Sequence, residues 1–140
     1  PAGSDDGLGL LDVETVIGAS KRLVAATGQS AVFGTPVEGY EMHMGRTSGP
    51  GTQRNLLALK TGDAHHPDGA VSADGRVAGC YVHGLFASDA FRHAFLRAMR
   101  PDRRAGPPWH KAVEAALDGL ADHLETHLDL DRLLEIARQR

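Results

Sequence analysis

Gly79-Cys80-Tyr81-Val82-His83-Gly84-Leu85-Phe86 is the stretch on which the reading of this chain turns. Arg76 to Val82 reads as a strand and Ser88 to Met99 as a helix. His83 falls where the strand gives way to a glycine-containing loop. In open α/β sheets, ligands bind at the carboxyl ends of strands. Imidazole is also the commonest general base near neutral pH. His83 is therefore the first candidate for catalysis, beside the plainer role of a strand-end histidine bonded to backbone.

Upstream of this stretch the sequence is a run of strands. Leu10 to Ile17 alternates, with Leu11, Val13, Thr15 and Ile17 on one side, which is a strand pattern. Lys21 to Thr27 is a second strand, and Gly28-Gln29-Ser30 a turn. Val37 to Met44 is a third. In a strand, residues i and i+2 share a face. Glu41 and His43 thus point one way, and Tyr40, Met42 and Met44 the other. Gly45 to Arg54 reads as loop and lacks the lysine-serine ending of a phosphate-binding loop. Leu56 to Lys60 is a short strand, and Thr61 to Asp68 a loop containing His65-His66-Pro67. Ala70 to Ala73 and Arg76 to Val82 flank Asp74-Gly75, a hairpin signal of the type in which both central residues take positive φ.

Downstream the pattern turns helical. Ser88 is placed to cap a helix whose apolar stripe is Phe91, Ala94, Phe95 and Met99. Pro101 to Pro108 is a polar connection. A long helix from Trp109 to Leu128 carries Val113, Leu117, Leu120, Leu124 and Leu128 at spacings of four and three. Asp129 can cap a last helix bearing Leu133, Leu134 and Ala137. Strands first and two to three helices last make an α/β class chain. Such elements can form one α+β core, or the back half of a larger α/β domain.

Composition bounds the function. The 140 residues suffice for one domain of ordinary size. A net charge of −3 gives no electrostatic footprint for nucleic acid or an anionic membrane. No apolar run approaches the roughly 20 residues of a spanning helix. The single cysteine, Cys80, cannot form an internal disulfide, which fits a cytoplasmic setting. The chain begins at Pro1, and Pro1 to Gly9 reads as a linker, so a preceding segment is expected.

Several constellations carry possible chemistry. Cys80 and His83 invite a cysteine–histidine pairing. Three residues along a strand span about 10 Å, however, and odd offsets point to opposite faces. Cys80 therefore reads as a buried structural thiol. Glu41 and His43 can bind a polar ligand or metal, or form a cross-strand ion pair. His65-His66 lacks the spacing of a zinc site. His123 and His127 share a helix face but have no third ligand nearby in sequence. A metallohydrolase built on the eight histidines is the weakest reading.

Glu38-Gly39-Tyr40-Glu41-Met42-His43-Met44-Gly45-Arg46-Thr47 resembles a signature of the cobyric acid synthase family. So do Gly7-Leu8-Gly9-Leu10-Leu11-Asp12, Asp68-Gly69-Ala70-Val71-Ser72, Tyr81 to Phe86, and the tail from Leu120 to Leu130. The likeness runs in order over nearly the whole chain. It implies the later part of a triad-type, class I-like glutamine amidotransferase domain, spanning residues 1–140. The family's enzymes are cytoplasmic and use glutamine and ATP to amidate side-chain carboxylates of a corrinoid in cobalamin biosynthesis. The resemblance implies ATP and Mg in an amino-terminal domain, and no cofactor in this segment. It gives His83 the catalytic histidine position and places the nucleophilic cysteine upstream of the stretch matching Gly7.

Ordinary triad amidotransferases carry an acid two residues after the histidine, where this chain has Leu85. Glu41, from a strand that can lie beside the histidine strand, is one candidate to orient His83. An acid from another segment is as good a candidate. Tyr40, Glu41 and His43 are the expected substrate-binding or orienting residues. The chain alone is expected to be inactive, because a triad without its nucleophile keeps only what binding and the oxyanion site provide. A non-catalytic module that binds a corrinoid or a partner protein is the alternative.

Overall fold

A computed structural model describes residues 3–139. Pro1 and Ala2 of the expected linker, and Arg140, lie outside the described residues. The chain forms two compact units, one up to Ala105 and one from Gly106. As read from the sequence, strands come first and helices last.

The first unit is built on β1 (Glu14–Ser30), β2 (Pro36–Ser48), β3 (Leu57–Thr61), β4 (Ala64–Asp68), β5 (Ala70–Val71), β6 (Ala78–Gly79) and β7 (Val82–His83). Helix α1 (Asp89–Met99) closes it. Five strands pair in the order β4-β3-β1-β2-β7, each antiparallel to its neighbour, and β5 and β6 form a separate two-stranded sheet.

The strand boundaries differ from the sequence reading in several places. The two expected strands, Leu10 to Ile17 and Lys21 to Thr27, merge into one strand, β1, which starts only at Glu14, leaves Leu10 to Val13 outside it, and breaks its pairing register between Ile17 and Arg22. Gly18-Ala19-Ser20 interrupts the apolar pattern, but the backbone stays extended through it. The turn expected at Gly28-Gln29-Ser30 falls later, where Ser30 N–H donates to Thr35 O and Gly34 N–H to Ser30 O. The loop expected over Thr61 to Asp68 contains β4, joined to β3 through Gly62-Asp63, with Gly62 at φ +59°. Gly45 to Ser48, expected as loop, extends β2.

The expected strand Arg76 to Val82 is divided. Its first part, β6, pairs with β5, and its last part, β7, crosses to β2 in the large sheet. Between them the Tyr81 N–H donates to the Asp68 carboxylate at 3.1 Å. The hairpin around Asp74-Gly75 forms, but only Gly75 has positive φ. Asp74 instead accepts hydrogen bonds from the Ser72 hydroxyl and the Arg76 N–H, which stabilises the turn without the mirror-image conformation.

One face of the large sheet is the core. Ala26, Val37, Leu57, Leu59 and Val82 lie on it, packed with Leu85 and with Phe91 of α1. Each fully buried side chain of this size contributes about 1.5–3 kcal/mol. Phe33, Phe86, Phe91 and Phe95 meet edge to face at centroid distances of 5.1–6.3 Å, a favoured aromatic geometry. Met99, expected on the α1 stripe, is exposed. Ser88 precedes α1 but does not cap it. Its hydroxyl donates to Pro36 O at 3.0 Å, fastening the helix start to β2.

The second unit holds α2 (Trp109–His127) and α3 (Leu130–Arg138). Asp129 caps α3 as its position suggested, accepting from Arg132 N–H at 2.9 Å. Leu117, Leu120, Leu124 and Leu128 of the α2 stripe are exposed. No helix among the described residues is long and apolar enough to cross a membrane.

The β2–β7 contact depends on the absence of a side chain. A Cβ at Gly39 would collide with the His83 carbonyl oxygen and press on the Val82 side chain at 2.9 Å. The expected outcome for Gly39→Ala is a loss of about 2 kcal/mol, read as a lower urea midpoint. An unchanged midpoint would mean that β7 is not held this closely.

Candidate functional site

His83 stands at the end of β7, with its Cα opposite that of Tyr40 on β2. The two rings are stacked, centroids 5.2 Å apart and planes within 16°. The ring nitrogen Nδ1 lies 3.1 Å from Tyr81 O. A carbonyl can only accept, so Nδ1 carries the hydrogen and Nε2 of the neutral ring keeps its lone pair. Nε2 has no hydrogen-bond partner among the described residues. Gly84 follows at φ +80°, in the left-handed region that glycine enters freely. The chain turns sharply there into the 3-10 segment Leu85–Ala87. Tyr40 is 43% exposed, so the stacked pair sits at an accessible surface.

Glu41 does not orient His83. Its Cα is opposite Val82, one residue out of phase, so its side chain leaves the other face of the sheet. There it is 3% exposed. Its carboxylate accepts from Arg22 Nε at 3.0 Å and from His66 Nε2 at 3.1 Å. Arg22 also donates to Thr61 Oγ1 at 3.1 Å. Burial pushes the Glu41 carboxyl pKa up, but the hydrogen bonds and charges of His66 and Arg22 outweigh it, and the net shift is downward. Asp68 nearby behaves in the opposite way. Its burial dominates and raises its pKa, despite the Tyr81 and Gly69 N–H donors.

His43 shares the Glu41 face, as the alternation implied, with Nε2 3.9 Å from the Glu41 carboxylate. Its Nδ1–H donates to Gly45 O at 2.7 Å, and its ring stacks on Tyr81 at 4.2 Å. The Tyr81 hydroxyl lies 2.6 Å from Thr47 Oγ1, which lies 2.7 Å from Thr15 Oγ1. This face borders a cavity of about 1070 Å³. Arg22, Glu41, His43, His66 and Tyr81 line it; Tyr40 and His83 do not.

The other singled-out residues each have surroundings of their own, and of these Cys80 also borders the cavity. Cys80 is half-buried against the core, its thiol directed to Val82 O at 3.9 Å and its pKa raised, chiefly by burial. His65 is exposed, while its neighbour His66 turns to Glu41, so the two do not converge. His123 and His127 stack at 4.2 Å on α2. Among the described residues no three His, Cys, Asp or Glu side chains form a group able to hold a metal ion. The sequence reading missed Arg22, His66, Asp68 and Tyr81 as partners. Only the pairing of distant strands brings them together, and the one local signal was the period-2 placement of Glu41 and His43.

Residues 1–91 match the family model described as a CobB/CobQ-like glutamine amidotransferase domain. The chain is also similar to curated proteins named cobyric acid synthase. It is 50% identical over 139 residues to that of Bradyrhizobium diazoefficiens, covering 99% of this chain and 28% of the relative. It is 52% identical over 138 residues to that of Rhodobacter capsulatus and 51% over 137 residues to that of Methylocella silvestris, with 28% of each relative covered. The chain thus spans a little over a quarter of the length of these relatives. No solved structure matches it.

The Glu41 network makes stability depend on pH. A carboxyl whose folded pKa lies below its ordinary value of 4.5 adds stability above that value and loses it as pH falls through the folded pKa. Glu41→Gln should cost about 2 kcal/mol at neutral pH, the scale of hydrogen bonds to a charged group. The difference from the parent should shrink as pH falls below 4.5 and through the lowered folded pKa. Thermal melts of the pair across this range read the effect of the Glu41 charge, including its push on the neighbouring Asp68. A difference independent of pH would show that its charge is not what stabilises the sheet.

Proposed function

This chain belongs to the family of CobB/CobQ-like glutamine amidotransferase domains, and from that premise we propose that His83 is the proton carrier of a glutamine-hydrolysing site. The observation that supports this is the His83 tautomer: Nδ1–H is committed to Tyr81 O, and Nε2 is left as an open base. A thiol brought to Nε2 gives up its proton there. The thiolate sulfur attacks the glutamine carboxamide carbon, and the carbonyl π pair moves to oxygen. As the carbon–oxygen double bond reforms, the carbon–nitrogen bond breaks. His83 returns its proton to the departing nitrogen, releasing ammonia and leaving a thioester. Water then attacks the thioester with His83 as base, freeing glutamate and restoring the thiol.

Cys80 is a poor source of that thiol. Burial raises its pKa, and its Sγ points to the Val82 carbonyl, whereas a reactive cysteine needs an electropositive setting that favours thiolate. The nucleophile in this reading belongs to sequence outside this chain. The relatives named cobyric acid synthase support placing the chain in an enzyme that passes the ammonia to carboxylates of a corrinoid in cobalamin biosynthesis, in the cytoplasm. ATP, with Mg²⁺, would activate those carboxylates in another part of that enzyme.

The test replaces the matching segment of the Rhodobacter capsulatus relative with this chain and measures ammonia released from glutamine. The chimaera should be active. His83→Gln should lose about 10²–10⁴-fold. Tyr40→Ala, which removes the stacked ring, should lose up to about 10²-fold through misplacement of the imidazole. Cys80→Ala should change nothing, and the chain by itself should release no ammonia. Activity of the lone chain that vanishes in Cys80→Ala would overturn the proposal.

A further inference from the structure

We propose that Asp68 is a positioning residue for His83, acting on it through the backbone of Tyr81. The proposal rests on the reading of His83 as proton carrier and names what holds that ring ready. No carboxylate bonds to the His83 ring among the described residues, so an acid can serve it only through another group.

Tyr81 is the link. It lies between β6 and β7, where the chain leaves the small sheet for the large one. The Asp68 carboxylate takes its N–H at 3.1 Å. The Tyr81 carbonyl accepts from Met42 N–H at 3.3 Å and from His83 Nδ1–H at 3.1 Å. A peptide unit is planar, so the N–H and the C=O of Tyr81 belong to two rigid planes that meet at its Cα. Asp68 fixes the first plane. The stack on His43 and the hydroxyl contact with Thr47 fix the side chain on the same Cα. Little freedom is left to the second plane, which carries the acceptor of His83.

Asp68 is itself held where it can do this. Its Cα is opposite that of Leu57 on β3, and its carbonyl accepts from Leu56 N–H at 3.1 Å. Gly69 follows at φ +78°, and a Cβ there would collide with the Gly79 carbonyl oxygen. The missing side chain lets the end of β4 lie against the segment that leads into Tyr81. Asp68 is 8% exposed and forms no salt bridge among the described residues. Burial pushes its pKa up, while the Tyr81 and Gly69 N–H donors pull the other way. A charge buried without a cation is costly, but a charged acceptor makes the stronger bond to an N–H. The fold thus sets a strong acceptor on the residue whose carbonyl selects the His83 tautomer.

Without Asp68 the Tyr81 N–H must find another acceptor, and its peptide plane turns to reach one. The His83 ring then loses its fixed partner at Nδ1. A free histidine side chain prefers its hydrogen on Nε2, and in that form Nε2 is a donor rather than a base.

Two readouts test this. Nitrogen-15 NMR of the chain at about pH 8.5, above the ordinary imidazole value of about 6.5, reads the neutral tautomers. His83→Gln identifies the His83 signals by their loss. Ammonia release from glutamine is measured in the chimaera described above. The parent should show the His83 hydrogen on Nδ1. Asp68→Ala should move it toward Nε2 and lower kcat about 10–10²-fold through misplacement of the ring, with KM for glutamine unchanged. Asp68→Asn, whose carboxamide oxygen can still accept, should return both readouts toward the parent. Asp68→Ser keeps a polar group but is too short to reach Tyr81; it should match Asp68→Ala and takes its place if the alanine variant does not fold. An unchanged tautomer in folded Asp68→Ala or Asp68→Ser overturns the proposal. So does a loss of activity with the parent's tautomer, the mark of a merely structural role, or a failure of Asp68→Asn to restore either readout. Full ammonia release by His83→Gln would sink the reading of His83 instead, while the tautomer would still report whether Asp68 sets it.

Discussion

A buried carboxylate holds the sheet in its shape. Glu41 on β2 accepts from Arg22 on β1 and from His66 on β4. In the order β4-β3-β1-β2, strands β2 and β4 are three spacings apart, about 14 Å if the sheet were flat. A 3.1 Å contact across that interval requires the β3–β4 hairpin to curl over the face of β1 and β2. The curl needs a reason to persist, because burying a charge is costly unless it is paired and hydrogen-bonded. Arg22 and His66 supply the pairing, and Thr61 ties down the far side of Arg22. The apolar cluster around Leu57, Leu59 and Phe91 then fills the same concave face further along.

The alternation of β2 turns this one contact into a division of labour. Tyr40 and Glu41 are neighbours in sequence and opposite in direction. One stacks on His83, and the other anchors the curled face. A slip of one residue between β2 and β7 would exchange every side chain across the sheet. It would bring a carboxylate to His83 and bury a tyrosine among the arginine and histidines. Close approach at Gly39 fixes the register against that slip, since neither neighbour, Glu38 or Tyr40, could lie so near the His83 carbonyl.

Much of this was legible in the chain, and the failures have physical causes. That strands precede helices along the chain, where the helices lie, and the Asp129 cap follow from periodicity and local chemistry. The continuity of β1 did not, because Gly18-Ala19-Ser20 breaks the apolar alternation while the backbone remains extended. β4 was hidden because Ala64-His65-His66-Pro67 has no strand composition; its pairing with β3 and the pull of Glu41 on His66 place it there. The division of Arg76 to Val82 was invisible for a similar reason. Asp68 takes the Tyr81 N–H from thirteen residues away, and no local pattern records such a competitor. Ser88 is the mildest case: its hydroxyl donates to Pro36 O and accepts from no first-turn N–H of its own helix.

Leu85 occupies the place where an ordinary triad amidotransferase would carry an acid. It is buried in the core cluster beside Phe91 and Val82. A carboxylate at that point would be desolvated among apolar side chains, a cost of several kcal/mol without a partner. The fold uses the position to seat the turn after Gly84, and orientation of His83 passes to two other groups. The Tyr81 carbonyl selects the tautomer, and the Tyr40 ring fixes the plane. In the proposed reaction the ring is therefore placed by a backbone carbonyl and an aromatic neighbour rather than by a carboxylate in contact with it.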